Sequence, residues 1–309
     1  MPIRIVGETN IDFIGKRKLA FILSTVLVAI GLVAVVMLGM GRGNLGIEFI
    51  GGTLVEGYFA QPVETGQLRT ALEEGGFGDA EIQRLEGRTE GNTFLIRIKA
   101  DPQEGAQKAQ DIIAVIQAKF PGNTFTMDSV HEVGPAVGQT LQSQARWAVL
   151  VSLLGILVYI TLRFDFRFGV AATVATFHDV LVVLGIFYLM HKEITLLVIS
   201  ALLTLAGYSL TDTVVVYDRI RENLKKFHKK ADFVPAVNRS INEVLSRTIM
   251  TSVTVMIVVV VLYIAGGPVL RDFSLSLILG VIIGTYSSVF VASPIYIEWE
   301  ARRPRRFKA

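Results

Sequence analysis

The sequence predicts a polytopic α-helical membrane protein, with six spans and one exported α+β domain set between the first and the second. Three observations predict it. Of the 309 residues 51% are hydrophobic, and the mean hydropathy of +0.52 is not that of a soluble domain of this size. The apolar residues gather into runs close to the length that crosses a hydrocarbon core of ~30 Å. The stretch 42–140 is instead of mixed polarity and long enough to close a small core of its own.

The first span, 18–40, opens on "KLAFILSTVLVAIGLVAVVML" behind the basic residues Lys16, Arg17 and Lys18. It is too long for the apolar core of a secretory signal and no small-x-small cleavage site follows, so it reads as a retained anchor. Residues 1–17 precede it as a cytoplasmic N-terminus. After the domain at 42–140 comes a five-helix bundle over 145–300, with spans at about 147–163, 168–190, 194–217, 249–266 and 273–297. A basic cytoplasmic loop at about 219–247 and a basic cytoplasmic tail at 301–309 complete the layout.

Orientation follows from the short connections, because Lys and Arg near span ends are retained in the cytoplasm. One set of connections holds Arg4, Lys16, Arg17, Lys18, Arg163, Arg167, the cluster from Arg219 to Arg247, and Arg302 to Lys308; the opposite short connections hold only Lys192 and Arg271. Both termini are therefore expected inside the cell and the domain outside.

Within the domain, "GTLVEGYF" (52–59) and "TFLIRIK" (93–99) have strand composition, with Phe94, Ile96 and Ile98 on one face of the second. Two helices are expected at 63–75 and 102–120, the latter with Ala109, Ile112, Ile113, Ile116 and Phe120 on one stripe. Strands at 80–86 and 123–133 complete the order strand, helix, strand, strand, helix, strand, which is ferredoxin-like. Nothing here has catalytic or metal-binding spacing. His131 beside Glu132 reads as a solvated strand end, since a metal site needs more ligands. The chain has no cysteine, which excludes disulfides, thiolate metal sites and a cysteine nucleophile.

Charges at membrane depth cost about 2.5 to 3.5 kcal/mol each and mark ion or substrate pathways. Asp179 sits mid-span beside His178, and Asp212 lies on the cytoplasmic half of the next span. At ~3.6 residues per turn, Thr204, Tyr208, Thr211 and Asp212 share a stripe, with Ser209 at its margin and Leu202, Ala206, Leu210 and Val214 away from it. That stripe is expected to face a bundle interior. Arg247, Thr251 and Thr254 repeat the pattern on the following span, with Arg247 free either to snorkel outward or to turn toward Asp212. No such stripe accompanies Asp179. In the basic run 219–230, Ile220, Leu224 and Phe227 share a side, as expected of a helix lying on anionic lipid and not one meeting nucleic acid. In the last span Gly280 and Gly284 stand at GxxxG spacing, continued by Ser287 or Ser288, which lets a neighbouring backbone approach within this chain or in another.

The stretches "GIEFIGGT" (46–53), "FHDV" (177–180), "LTLAGYSLTDTVVVYDRIREN" (203–223), "NRSINEVLSRTIMTS" (238–252) and "GTYSSVFVASP" (284–294) closely resemble the SecF family of the bacterial SecD/SecF protein-export complex. The match runs in order from the first span to the last. Glu48 stands where the family has Asp before the glycine pair Gly51 and Gly52, keeping a carboxylate at the junction of membrane and domain, and Thr211 stands where Asn commonly precedes the intramembrane Asp. The resemblance implies membership of the resistance-nodulation-division superfamily. It also implies a SecD partner in a pseudo-symmetric twelve-span unit beside the SecYEG channel, and a translocating preprotein as cargo. Proton motive force would assist late export, with Asp212 as the proton-carrying acid and Arg247 completing the relay; Thr211 and Tyr208 of the stripe and the mid-span Asp179 are further relay candidates from the residues themselves. No organic cofactor is implied, only a coupling ion, a proton or sodium. An intramembrane aspartyl protease would use Asp179 with Asp212, but its G-x-G-D signature is absent. A small-molecule exporter of the superfamily would carry larger exported domains. A passive assembly factor would need no titrating acid.

Overall fold

The computed structural model describes residues 9–78, 80–85, 92–98, 105–225 and 233–302. Residues 1–8, the end of the basic run including Phe227, and 303–309 of the tail lie outside the described residues. The chain forms two compact units, one of Leu45–Arg146 with Ile194–Leu196 and one built from the remaining helices.

The first unit holds a four-stranded sheet. β1 (Gly52–Phe59), β2 (Glu81–Leu85), β3 (Thr93–Ile98) and β4 (Phe125–Val133) stand in the order β2-β3-β1-β4. Every pair is antiparallel, which is the ferredoxin-like arrangement. The chain enters through a four-residue helix, α2 (Ile47–Ile50), that the sequence reading did not foresee. Gly51 and Gly52 follow it at φ 76° and 127°, backbone that only glycine adopts without strain. The glycine pair is thus required by the turn from α2 into β1. Helices α3 (Thr65–Glu74) and α4 (Gly105–Lys119) cover one face of the sheet. Phe94, Ile96 and Ile98 of β3 and Ala109, Ile112 and Ile116 of α4 are buried together, as their periodicities predict. Phe59 is their hub, with ring centroids 4.9 Å from Phe125, 5.2 Å from Phe120 and 5.8 Å from Phe94.

Six helical stretches are long and apolar enough to cross a membrane. They are α1 (Arg17–Gly39), α5 (Pro135–Arg163), α6 (Phe166–Leu189), α7 (Leu196–Leu224), α8 (Phe233–Ala265), and α9 (Gly267–Ser287) continued by α10 (Ser293–Arg302). Between α9 and α10 the helix widens to a π turn over Ser288–Ala292, where the Ser293 hydroxyl donates to the Ser288 carbonyl at 2.9 Å. Among these helices α6 is the most buried, and α1, α5 and α8 are peripheral.

The stretch 219–247 differs from the expected loop. It is largely helix: α7 runs on to Leu224 and α8 already begins at Phe233. The two helix ends form a hairpin in which Asn223 donates to Ser240 at 3.0 Å and Glu243 at 2.7 Å, while Arg219 reaches Glu243 at 2.6 Å. Ile220 is fully buried and Leu224 packs beside it, so these two residues, expected to rest on lipid, belong to the protein core. That core is aromatic at its centre, with Phe168 stacked on Tyr296 at 3.9 Å and tilted against Tyr217 at 4.6 Å. The segment 11–14 is held against α8 by Asn238 and Asn242.

Candidate functional site

α7 carries Asp212 because an apolar helix long enough to span can tolerate one acid where neighbouring helices supply donors. Asp212 is 4% exposed. Its Oδ1 accepts from the Thr251 hydroxyl at 3.3 Å and its Oδ2 from Ser252 at 3.5 Å, both on α8. Ser252 in turn shares a 2.7 Å hydrogen bond with Thr285 of α9 and receives one from the Tyr208 hydroxyl at 3.3 Å. The acid therefore rests in a set of neutral hydroxyls drawn from three helices. Ser252 and Thr285 carry no role predicted from sequence, because each stands in a cluster of hydroxyl residues, 251–254 and 285–288, that gives no sign of which one faces Asp212.

Arg247 is exposed, and among the described residues it forms no ion pair with Asp212. Its charge reaches the carboxylate only across space. Thr211 is also exposed and spends its hydroxyl on the Gly207 carbonyl of its own helix at 3.2 Å. Thr204, Gly207 and Thr211 of α7, with Arg247, Thr251 and Thr254 of α8, face out of this chain, while Leu202, Leu205 and Ala206 face into it. The polar stripe lines the outer surface of the helical unit with Asp212 at its floor.

Asp179 is elsewhere. It is fully buried, with Oδ1 2.8 Å from Nδ1 of His178 and Oδ2 accepting from Ser209 of α7 at 2.5 Å and Ser287 of α9 at 2.7 Å. No polar stripe on its own helix supplies these partners; beside His178 they come from two other helices. The glycines of the last span face inward. A Cβ on Gly280 would meet the Leu205 side chain, and one on Gly284 would lie 3.0 Å from the Ser209 Cβ, so the motif packs α9 on α7 within this chain. Glu48 belongs to the other unit, on α2, with its Oε2 buried and unpartnered among the described residues.

The chain matches the family described as protein export membrane protein SecD/SecF, C-terminal, over residues 114–302. It is similar to the protein translocase subunit SecF of Thermodesulfovibrio yellowstonii, 48% identical over 96% of this chain and 96% of that one. Its similarity to the subunit of the same name from Endomicrobium trichonymphae is 39% over 99% and 96%. Among solved structures it resembles SecDF, a translocon-associated membrane protein, from Thermus thermophilus, with TM-score 0.85, 36% identity and 97% of this chain covered. It also resembles SecDF in a super-membrane-facing form, with TM-score 0.68 and 38% identity over 98% of this chain. The chain spans only 40% of the length of either solved chain. Matched along nearly its whole length to SecF subunits, and from α4 to α10 to the region that defines the wider group, this chain belongs to the SecD/SecF family of protein-export membrane proteins, on the SecF side.

Proposed function

We propose that this chain is an auxiliary subunit of the Sec translocase which, paired with a SecD-type subunit, uses the proton motive force to promote late export of polypeptides through the SecYEG channel. The observation that carries the reading is Asp212: an acid at membrane depth, held by hydroxyls alone, at the floor of a polar face that opens out of the chain. Pairing is supported by that face. Thr204, Thr211, Thr251, Thr254 and Arg247 would otherwise meet hydrocarbon, and solved relatives carry in one chain the further length that a partner would supply. We take the coupling ion to be a proton, since Asp212 is a titratable acid held by hydroxyls that can both donate and accept. Arg247, exposed and within electrostatic range, completes the relay when the helices rearrange.

The chain sits in the inner membrane with both termini cytoplasmic and the domain at 42–140 outside, where it handles the emerging polypeptide. The distribution of Lys and Arg supports that orientation, and the basic connections lie against anionic lipid of the inner leaflet. Each charge crossing the field contributes about 2.3 kcal/mol per 100 mV, enough to bias a two-state helix arrangement more than tenfold.

The test is export into inverted membrane vesicles, with and without an uncoupler, in Asp212→Asn. The amide keeps size and hydrogen bonding but cannot titrate. Insertion and pairing should be normal and the uncoupler-sensitive part of export lost, leaving the motor-driven part. Full uncoupler-sensitive export in this variant would make Asp212 a structural acid. Replacing the uncoupler with a sodium ionophore should leave export unchanged; a loss there would move the coupling from proton to sodium.

A further inference from the structure

Asp179 stands outside the hydroxyl network of Asp212, and the relay gives it no task. Its place in the packing does. α6, which carries it, is pressed backbone to backbone against α1: a Cβ on Gly185 would lie 2.8 Å from the Gly31 amide nitrogen, and one on Gly31 would collide with the Leu181 carbonyl. α6 is therefore fixed by its neighbour. From that fixed helix a single carboxylate oxygen, Oδ2, takes hydroxyls from two others, Ser209 of α7 and Ser287 of α9.

Both serines belong to helices that supply the proton site: α7 carries Asp212 and α9 carries Thr285. Ser209 lies three residues before Asp212, on the same side of α7. Ser287 lies two residues after Thr285, which bonds Ser252, which bonds Asp212. One acceptor shared by two helices fixes their relative height, so Asp179 sets the register in which the donors of Asp212 are offered to it. The remaining groups around the pair are few. His178 lies on α6 itself, and Tyr286 of α9 stacks on the imidazole at 6.3 Å with its hydroxyl held by Ser24 and the Ala20 carbonyl of α1. Neither serine bonded to Asp179 joins the hydroxyls around Asp212, and the acid is 0% exposed.

We propose that Asp179, with His178 at its Oδ1, forms a positioning site that holds α7 and α9 in register on α6, so that Ser252 and Thr285 remain at Asp212. This rests on Asp212 being the proton-carrying group, and it removes Asp179 from the relay.

The experiment reads register and export separately, in membranes containing this chain with its SecD-type partner. The chain has no cysteine, so Leu205→Cys with Gly280→Cys, placed where a Cβ at 280 would meet the side chain at 205 across α7 and α9, gives a disulfide reporter of register. Asp179→Asn still accepts from both serines through its amide oxygen and donates to Nδ1 of a neutral His178. It should hold cross-linking and uncoupler-sensitive export within about twofold of the parent. Asp179→Ala, and Ser209→Ala combined with Ser287→Ala, should each lower the cross-link roughly fivefold or more and weaken export with it. The serine pair decides the question if Asp179→Ala does not accumulate. An unchanged cross-link in the serine pair would overturn the proposal. So would an Asp179→Asn that keeps the cross-link and loses uncoupler-sensitive export, since the dyad would then be a proton carrier. A structural Asp212 would reveal itself in Asp212→Asn and would leave the cross-link result as it is.

Discussion

A hydroxyl can donate to a carboxylate or, by rotating, accept from a carboxylic acid. Asp212 is surrounded by hydroxyls, Thr251 and Ser252 directly and Tyr208 and Thr285 behind them, so it can gain or lose a proton without the helices first being rebuilt. Asp212→Glu should accordingly retain part of the uncoupler-sensitive export that Asp212→Asn loses, because the group still titrates although it is displaced by one methylene; equal loss in the two would mean that position alone matters. Arg247 gives a different expectation. It is exposed and makes no ion pair with the acid, so Arg247→Ala should change the thermal stability of the purified complex by no more than about 0.5 kcal/mol while abolishing proton-driven export. A large drop in stability would show that the guanidinium is a structural anchor. Asp212 was legible in the sequence because a lone acid in an apolar run announces itself. The partners of Asp179 were not, because they stand 30 and 108 residues away on other helices and no local period connects them.

At the level of elements, the close packing of α9 on α7 depends on two glycines that present no side chain to Leu205 and Ser209. Gly284→Leu would drive a side chain into Ser209, separating the helices and pulling that serine off Asp179. Overpacking of this kind costs about 1–3 kcal/mol. The expected outcome is a lower melting temperature of the complex and reduced export, with Gly284→Ala milder; a Gly284→Leu protein as stable as the parent would show that α9 can pivot away. Periodicity identified α9 and its glycine spacing, but GxxxG reports only that a backbone comes near, not whose. Helix limits were harder to read. The charges between 219 and 247 suggest a loop, whereas Asn223, Ser240 and Glu243 bind one another across two helix ends that extend past the apolar runs. The sheet was legible because Phe94, Ile96 and Ile98 alternate strictly. α2, only four residues long, has too little sequence to carry a period at all.

For the whole molecule, the order of apolar runs and Lys and Arg fixes an expected topology. Reporters fused after Arg42 or Lys192 should be found outside, and those after Lys226 or Lys308 inside. A reporter at Gly91 that proves cytoplasmic would overturn the arrangement. The outward polar face of α7 and α8 leads to a second expectation: expressed without a SecD-type partner, the chain should aggregate or be degraded, as measured by size-exclusion chromatography and turnover in cells. A monodisperse chain that conducts protons alone would show that its own six helices complete the pathway. Both faces of α7 were legible from its period, the apolar one packed within this chain and the polar one carrying Thr204 and Thr211 exposed. The glycine contact between α1 and α6 has a consequence for biosynthesis. Gly31 is made early and Gly185 roughly 150 residues later, so at about 5–20 residues per second α1 stands in the bilayer for about 8–30 seconds before its closest neighbour exists. During that interval a whole soluble domain is synthesised behind it, and the bare groove at Gly31 is open to any other helix that could fill it first.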